Sequence, residues 1–151
     1  MLESLPKITG SVTVAKPPNG NVTGASVSIT DSKVEKDVIA GQAGEGTVEK
    51  SKVEIGGDDT VILGTVSAGK VDEGKVTQAK VTLAGGTVNV IKGGFAKAGE
   101  AVANVVDLIK GEVDTVFGGN VESGGKSEGN IVNLLGAKVK YIYGGACDTA
   151  E

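Results

Sequence analysis

The sequence predicts an all-β protein that folds as a parallel β-helix, or β-solenoid, of about five to six rungs with roughly 26 residues in each. Three observations predict this fold. A motif recurs along the chain at a nearly constant period, apolar residues alternate with polar ones inside each copy, and 25 of the 151 residues are glycines that lie among valine and isoleucine. Repeats of this length are typical of solenoids, in which each unit buries its apolar side against its neighbours.

The first strand of each rung follows from the repeated motif. A small residue or asparagine, which we call the anchor, is followed by apolar residues two and four positions later. This alternation places the three side chains on one side of a strand. The anchors are Ala25, Ser51, Ala79, Asn104 and Asn130, and successive anchors are 26, 28, 25 and 26 residues apart.

Two further strands per rung follow from positions that keep a fixed distance from the anchor. Three residues before the anchors lie Val22, Val48, Val76, Ala101 and Ser127. Nine residues after them lie Val34, Thr60 with Val61 beside it, Val88, Val113 and Val139. Twelve residues after the last three anchors lie Ile91, Val116 and Ile142. We expect these positions to stack as apolar columns from rung to rung.

Glycine pairs mark the expected turns. Gly56-Gly57 and Gly85-Gly86 end the first strand of their rungs, and glycine permits the positive backbone angles of a sharp turn. A second series follows Ile91, Val116 and Ile142, where we expect the second strand to end. These pairs are Gly93-Gly94, Gly118-Gly119 and Gly144-Gly145.

Two columns contain residues with specific structural potential. Asn104 and Asn130 occupy the anchor of adjacent rungs, which predicts a buried amide ladder, with two exposed turn asparagines as the alternative. Phe117 and Tyr143 each precede a glycine pair, and their shared column favours structural stacking over a platform for a ligand.

One segment also fits a helix. Between residues 96 and 113, apolar residues at 98, 101, 102, 105, 106 and 109 follow helical spacing. The same segment continues the repeat through Asn104, Val106 and Leu108. Because that register agrees with both neighbouring rungs, we expect strand.

The whole chain, residues 1–151, is expected to form one domain. Residues 1–20 would form an irregular first rung or a cap, residues 21–146 the repeats, and residues 147–151 a tail. No amphipathic capping helix is apparent at either end, so the terminal rungs would expose strand edges. Open edges of this kind favour either end-to-end self-association or excision of the chain from a longer solenoid.

Composition excludes several classes of function. The chain contains no histidine, arginine or tryptophan, and Cys147 is its only cysteine. Without histidine, histidine-dependent catalysis and histidine-ligated metals are impossible. A net charge of −4 argues against nucleic-acid binding. The acidic pair Asp58-Asp59 is expected to be a solvated turn. We therefore expect no catalytic, cofactor-binding or metal-binding residues, no cofactor, and no enzymatic activity.

The chain has neither the apolar run of a signal peptide nor one long enough for a membrane span. No membrane insertion by this segment is expected. A complete chain of this kind would be cytoplasmic. The alternative is that the chain is part of a longer precursor that is exported.

Residues 75–146 resemble the repeats of bacterial autotransporter adhesin passenger regions. The resemblance lies in Gly-Gly-Thr-Val-Asn-Val-Ile-Lys-Gly-Gly at 85–94, in Asn-Val-Val-Asp-Leu from Asn104, and in Tyr-Ile-Tyr-Gly-Gly at 141–145. It implies a right-handed β-helix displayed on a cell surface or secreted, with an adhesive or spacer role and an unknown protein or glycan partner. The alternatives are a self-assembling cytosolic scaffold and, less favoured, a carbohydrate-active β-helix enzyme.

Overall fold

The computed structural model describes residues 7–17 and 19–147, and these residues form a parallel β-solenoid. The predicted all-β fold class and the repeat of about 26 residues are confirmed. Residues 1–6, residue 18 and residues 148–151 lie outside the described part, which includes most of the tail expected at 147–151.

Thirteen strands belong to one continuous sheet that coils along the chain. The strands are β1 Lys7–Ile8, β2 Val12–Ala15, β3 Val22–Thr23, β4 Ser26–Thr30, β5 Lys33–Val34, β6 Val38–Glu49, β7 Lys52–Gly56, β8 Val61–Thr77, β9 Lys80–Val102, β10 Val105–Glu128, β11 Ile131–Leu134, β12 Lys138–Tyr143 and β13 Ala146–Cys147. All pairings between them are parallel, so each rung hydrogen-bonds to the rungs before and after it.

The anchor column has the predicted register. The amide of Lys52 donates to the carbonyl of Ala25 at 2.8 Å, and the amide of Ile131 donates to the carbonyl of Asn104 at 2.8 Å. The columns at three residues before the anchor and at Ile91, Val116 and Ile142 are also aligned as predicted. The apolar side chains of these columns fill the interior.

One predicted column position is wrong. Ile62, and not Thr60, pairs with Val34 and Val88 and occupies the interior. The rung contains two extra residues between Ile55 and Ile62, compared with the rung before it, and the turn from Gly56 accommodates them. A fixed offset from the anchor therefore failed in the rung where a turn is longer.

The strands do not end at the glycine pairs that follow the isoleucine and valine column, as had been expected. β9 continues through Gly93-Gly94 and β10 continues through Gly118-Gly119. None of these four glycines has a positive φ. Only Gly144 follows the end of a strand, β12. The reason for glycine here is close packing, which is described below with the site.

The segment from 96 to 113 is β structure, as the repeat register predicted. β9 and β10 meet at a turn in which Ala103 has a φ of 57°. The residue before each anchor has this left-handed conformation, a feature that the sequence did not indicate. The column consists of Gly24, Lys50, Gln78, Ala103 and Gly129.

The first described residues stack regularly on the next rung. Lys7 and Ile8 pair with Lys33 and Val34, and Val12 pairs with Val38. An isolated bridge joins Asn19 to Glu45. The described part of residues 1–20 therefore follows the 26-residue register of the following rung.

Candidate functional site: the corner groove

The anchor corner of the last rungs contains a ladder of asparagine amides. Asn104 Nδ2 donates to Asn130 Oδ1 at 3.0 Å, and the backbone amide of Asn104 donates to the same oxygen at 2.9 Å. Asn104 Oδ1 in turn accepts from the backbone amide of Ala79 at 2.9 Å. Asn104 is fully buried, so these hydrogen bonds satisfy groups that water does not reach.

The glycine pairs lie across the interior from this ladder. A Cβ on Gly94 would be 2.5 Å from Asn104 Nδ2, and a Cβ on Gly119 would overlap the Asn130 amide. A Cβ on Gly93 would likewise meet the carbonyl of Gly118 in the next rung. Glycine is therefore required because the backbone here lies too close to the asparagine side chains and to the adjacent rung to accommodate a Cβ.

On the outer surface these glycines lie between two columns of side chains, and we call the surface between the columns the corner groove. One wall is the column Ser67, Lys92, Phe117 and Tyr143, which precedes the glycines. The opposite wall is the column Lys70, Phe95 and Asn120, which follows them. Each column runs parallel to the solenoid axis because its members pair between adjacent rungs.

Aromatic and lysine side chains meet across the groove. Lys92 Nζ lies 4.1 Å from the centre of the Phe95 ring and 5.7 Å from that of Phe117, while Lys70 Nζ lies 5.6 Å from the Phe95 ring. These distances are in the range of cation–π interactions. Phe95 is buried, yet it is outside the interior apolar cluster. It is therefore covered from outside by groove residues.

Phe117 and Tyr143 form a stacked pair further along the same groove. Their ring centres are 4.9 Å apart and their planes differ by 13°. Phe117 is partly exposed and Tyr143 is exposed. The two rings therefore cover one face of each other and continue the column that contains Lys92.

Lys92 lies in a partly desolvated position. Burial lowers the pKa of its ammonium group below the usual value for lysine, and Lys70 adds to this effect. Glu122 and Asp37 act in the opposite direction. Within the described part of the chain, no carboxylate oxygen lies within 4.0 Å of Lys92 Nζ. Its nearest partners are therefore the aromatic rings.

A small cavity of about 140 Å³ adjoins Lys92, Lys70 and Phe95. Its other lining residues are Asp37, Ile39, Thr65 and Ser67. Asp37 Oδ1 accepts a hydrogen bond of 2.8 Å from the backbone amide of Thr65. Ser67, which also lines the cavity, is 3% exposed.

The sequence indicated only part of this site. Phe117 and Tyr143 were singled out because each precedes a glycine pair. Lys92 has the same relation to Gly93-Gly94, and it was missed because its side chain is not aromatic. Ser67, Lys70 and Phe95 were missed because nothing in a strand pattern shows that the two columns on either side of the glycines come into contact.

A second, shallower groove of about 620 Å³ crosses four rungs on another face. Its paired outward side chains change from rung to rung. They are apolar at Val61 and Leu63, uncharged and polar at Thr87 and Asn89, acidic at Glu112 and Asp114, and basic at Lys138 and Lys140. The acidic and basic pairs lie in adjacent rungs, where Lys138 Nζ is 3.8 Å from Glu112 Oε1.

The remaining chemically distinctive residues have surface roles. Asp58 forms an ion pair of 2.9 Å with Lys110, two rungs further along the solenoid. Cys147 Sγ donates to the carbonyl of Gly125 at 3.1 Å. Residues 7–17 and 19–147 contain no group of three or more cysteine, aspartate or glutamate side chains placed to hold a metal ion. Nor does this part include a helix with the length and hydropathy needed to cross a bilayer.

Interior columns become exposed in the last rung of the described part. Ile29 and Leu134 belong to the same interior column, but Ile29 is 7% exposed in its rung and Leu134 is 51% exposed in the last one. Ile142, which continues a column buried in earlier rungs, is also exposed. Among residues 7–17 and 19–147, nothing therefore covers the outer strand edges of the C-terminal rung or these interior side chains.

The sequence and structure were also compared with known proteins. No family model, no curated protein and no solved structure matches the chain.

Proposed function

We propose that this chain is a non-enzymatic structural segment, a rod that displays its side faces for contact with another macromolecule. The observation that carries the proposal is the unbroken parallel pairing of successive rungs. Such pairing adds length with each repeat and presents every outward column as a continuous line on the surface. The arrangement suits a spacer or an adhesive stalk.

The resemblance of residues 75–146 to autotransporter passenger repeats supports display on a cell surface or secretion. Contact with a protein or glycan would then occur along the sides of the rod. The grooves and the exposed stacked pair of Phe117 and Tyr143 provide side faces with a distinct shape.

Labelling of intact cells of the source organism tests this proposal. An antibody against the chain should label intact cells or the culture medium, and protease added outside the cells should remove surface label. Antigen that external protease does not reach in intact cells, and that appears only in the cytosolic fraction after lysis, would contradict surface display.

A second candidate function is a self-assembling cytosolic scaffold, which the open C-terminal rung favours. Leu134, Tyr141 and Ile142 are exposed there, beside strand edges that no described residue pairs with, and this combination promotes association with another sheet. Sedimentation velocity over a wide concentration range tests it. A growing series of oligomers would support a scaffold, whereas a single monomeric species at the highest concentration would exclude it.

A further inference from the structure

We propose that the last rung, formed by β11 and β12, binds an extended segment of another polypeptide as one further parallel rung. The segment would have asparagine at the anchor and apolar residues in the interior columns. It would have acidic residues opposite Lys138 and Lys140 and an aromatic residue opposite Tyr143. This site is at the end of the rod, so it is separate from the side faces to which the contact role was assigned above.

The edge of the last rung provides the backbone and apolar parts of the site. Among the described strands, β11, β12 and β13 pair only with β10. Leu134 is 51% exposed and Ile142 is 43% exposed, whereas their partners in the preceding rung, Leu108 and Val116, are fully buried. A further parallel strand would pair with the outer edges and cover both side chains, which is the mode of binding in which a peptide extends a sheet.

The asparagine ladder specifies the anchor of the incoming segment. The backbone amide of Ala79 donates to Asn104 Oδ1, and the backbone amide of Asn104 donates to Asn130 Oδ1, both at 2.9 Å. Each asparagine therefore accepts a hydrogen bond from the anchor of the preceding rung. An asparagine at the next anchor would accept from the backbone amide of Asn130 in the same way.

The exposed lysines of the last rung specify the charge of the segment. Lys138 pairs in register with Glu112 of the preceding rung, and Lys138 Nζ is 3.8 Å from Glu112 Oε1. Lys140 and Asp114 fill the outward positions two residues later in the two rungs. Acidic residues on the open side of the two lysines would repeat this favourable order, whereas basic residues would repel them.

Tyr143 specifies an aromatic residue in the incoming segment. Its ring stacks on that of Phe117, with 4.9 Å between the ring centres, and Tyr143 is exposed. One face of the tyrosine ring is therefore covered by Phe117. An aromatic ring in the next rung would stack on the other face.

Residues 104–117 show that one segment can have all of these features. This part of the chain forms the rung before the last, so its own structure proves that the combination fits the repeat. The residues concerned are the anchor Asn104, the interior Val106, Leu108, Val113 and Val116, the acidic Glu112 and Asp114, and the aromatic Phe117. The segment is buried between its neighbours in the folded chain, so it serves here as the pattern for a partner and as a probe.

The first described rung of a second copy fits the site less well. Successive pairings place Lys7 in the column that ends at Lys138, and Thr13 in the column that ends at Tyr143. Head-to-tail stacking of two copies would therefore bring a lysine beside Lys138 and no ring onto Tyr143. The charges favour a segment of different sequence over a second copy.

Titration of the ¹⁵N-labelled chain with a synthetic peptide of residues 104–117 tests the proposal by NMR. The backbone amides of β11 and β12 should shift in a saturable way, and those of β2, at the other end of the rod, should not shift. The matched control peptide has the changes Glu112→Lys and Asp114→Lys. It should bind about tenfold more weakly, because two attractions with the protein become repulsions.

Reversal of the protein's own charges is the sharper comparison. For the chain with Lys138→Glu and Lys140→Glu, the order of the two peptides should reverse, so that the lysine peptide binds more tightly. Lys36→Glu with Lys97→Glu is the control, because it changes the net charge equally at two exposed lysines of earlier rungs. It should leave the order unchanged. Absence of shifts in β11 and β12 at millimolar peptide, or equal binding of both peptides, would overturn the proposal.

A covalent version of the experiment does not depend on the solubility of the peptide. The segment 104–117 is attached behind residue 151 through a flexible linker, which holds it at high effective concentration near the last rung. It should raise the urea midpoint above that of the same chain carrying the charge-reversed segment. Equal midpoints would contradict charge-selective binding at the last rung.

These tests are independent of the surface labelling and of the sedimentation experiment. Peptide binding by a chain that remains in the cytosol would leave the present proposal intact and overturn surface display. A growing series of oligomers of the parent chain without peptide would identify a second copy as the occupant of the last rung. That result would support the scaffold and overturn the assignment to a different segment.

Discussion

The anchor corner is filled in one way in the first three rungs and in another way in the last two. In the first three rungs a small anchor is combined with valine three residues earlier. In the last two rungs an asparagine anchor is combined with alanine or serine three residues earlier. The pairs are Val22 and Ala25, Val48 and Ser51, Val76 and Ala79, Ala101 and Asn104, and Ser127 and Asn130.

The contacts made at the glycines beside the corner explain why a smaller residue replaces valine where asparagine is the anchor. A Cβ on Gly69 would lie 2.5 Å from Val76 Cγ1, whereas a Cβ on Gly119 would overlap the Asn130 amide. Valine from one position and asparagine from the other thus occupy the same space beside these glycines. The difference teaches that two positions together specify the corner. An asparagine also brings polar atoms that need partners in the adjacent rung.

The largest loss of stability is expected when the asparagine at the anchor is replaced. Asn104→Ala leaves the buried amide of Ala79 and the carbonyl of Val76 without their side-chain partner and opens a cavity. We expect the free energy of unfolding to fall by about 2–4 kcal/mol. Urea denaturation followed by circular dichroism measures this change.

Two asparagines provide controls for that experiment. Asn130→Ala should cost less, because Asn130 is in the outer rung and partly exposed. Asn133→Ala should cost little, because its amide forms an exposed hydrogen bond of 2.7 Å to Asp107. Equal losses for Asn104 and Asn133 would show that the ladder contributes nothing specific.

The second prediction tests whether valine three residues before the anchor can fill the space of an asparagine at the anchor. Ala101→Val alone should destabilise the chain by about 1–3 kcal/mol, because the added methyl groups compete with the amides for space. Combined with Asn104→Ala, the same valine should fill the vacated space. We expect a favourable coupling of about 1–2 kcal/mol in a double-mutant cycle. Strict additivity of the two losses would contradict the exchange of volume between these positions.

Periodicity was sufficient to predict the fold and most interior columns, because a solenoid repeats the same side-chain environment in every rung. It failed at Ile62, where a longer turn moved the column by two residues. It also missed the glycines at 46, 74 and 99, which turn with φ values of 128°, 133° and 131°. Their spacing is as regular as that of the anchors, but the alternating apolar pattern ends before it reaches them.

The groove could be predicted only in part, for a different physical reason. The column before the glycine pairs contains Ser67, Lys92, Phe117 and Tyr143, which share no chemical property that a repeat search would detect. Outward positions need no common residue type because they do not pack into an interior column. The contacts between the two columns join residues from different rungs, such as Lys70, Lys92 and Phe95.

The third prediction concerns a rung in which valine is combined with a small anchor, and here we expect the free energy of unfolding to rise. Ser51 is a fully buried anchor whose Oγ has no hydrogen-bond partner in the described part of the chain. Ser51→Ala removes a hydroxyl that was desolvated without compensation, so we expect stabilisation by about 1 kcal/mol. Ala79 shows that alanine fits this column. Urea denaturation of Ser51→Ala beside the parent chain measures the change, and a loss of stability would mean that the hydroxyl makes a contact worth more than its desolvation.

The smallest effect concerns the left-handed residue before the anchor, which both kinds of corner share. Glycine occupies it before Ala25 and Asn130, whereas Ala103, with a φ of 57°, occupies it before Asn104. A Cβ in this conformation costs about 1–2 kcal/mol, and glycine loses about 0.5–1 kcal/mol more conformational entropy on folding than alanine. Ala103→Gly should therefore stabilise the chain by about 0.5 kcal/mol, measured as a small rise in the urea midpoint at constant slope. Gly129→Ala is the reverse change in the next rung and should lower the midpoint by a similar amount. A lower urea midpoint for Ala103→Gly would contradict this prediction. It would show that Asn104 and its hydrogen bonds fix the conformation at this corner and outweigh the preference of residue 103 itself.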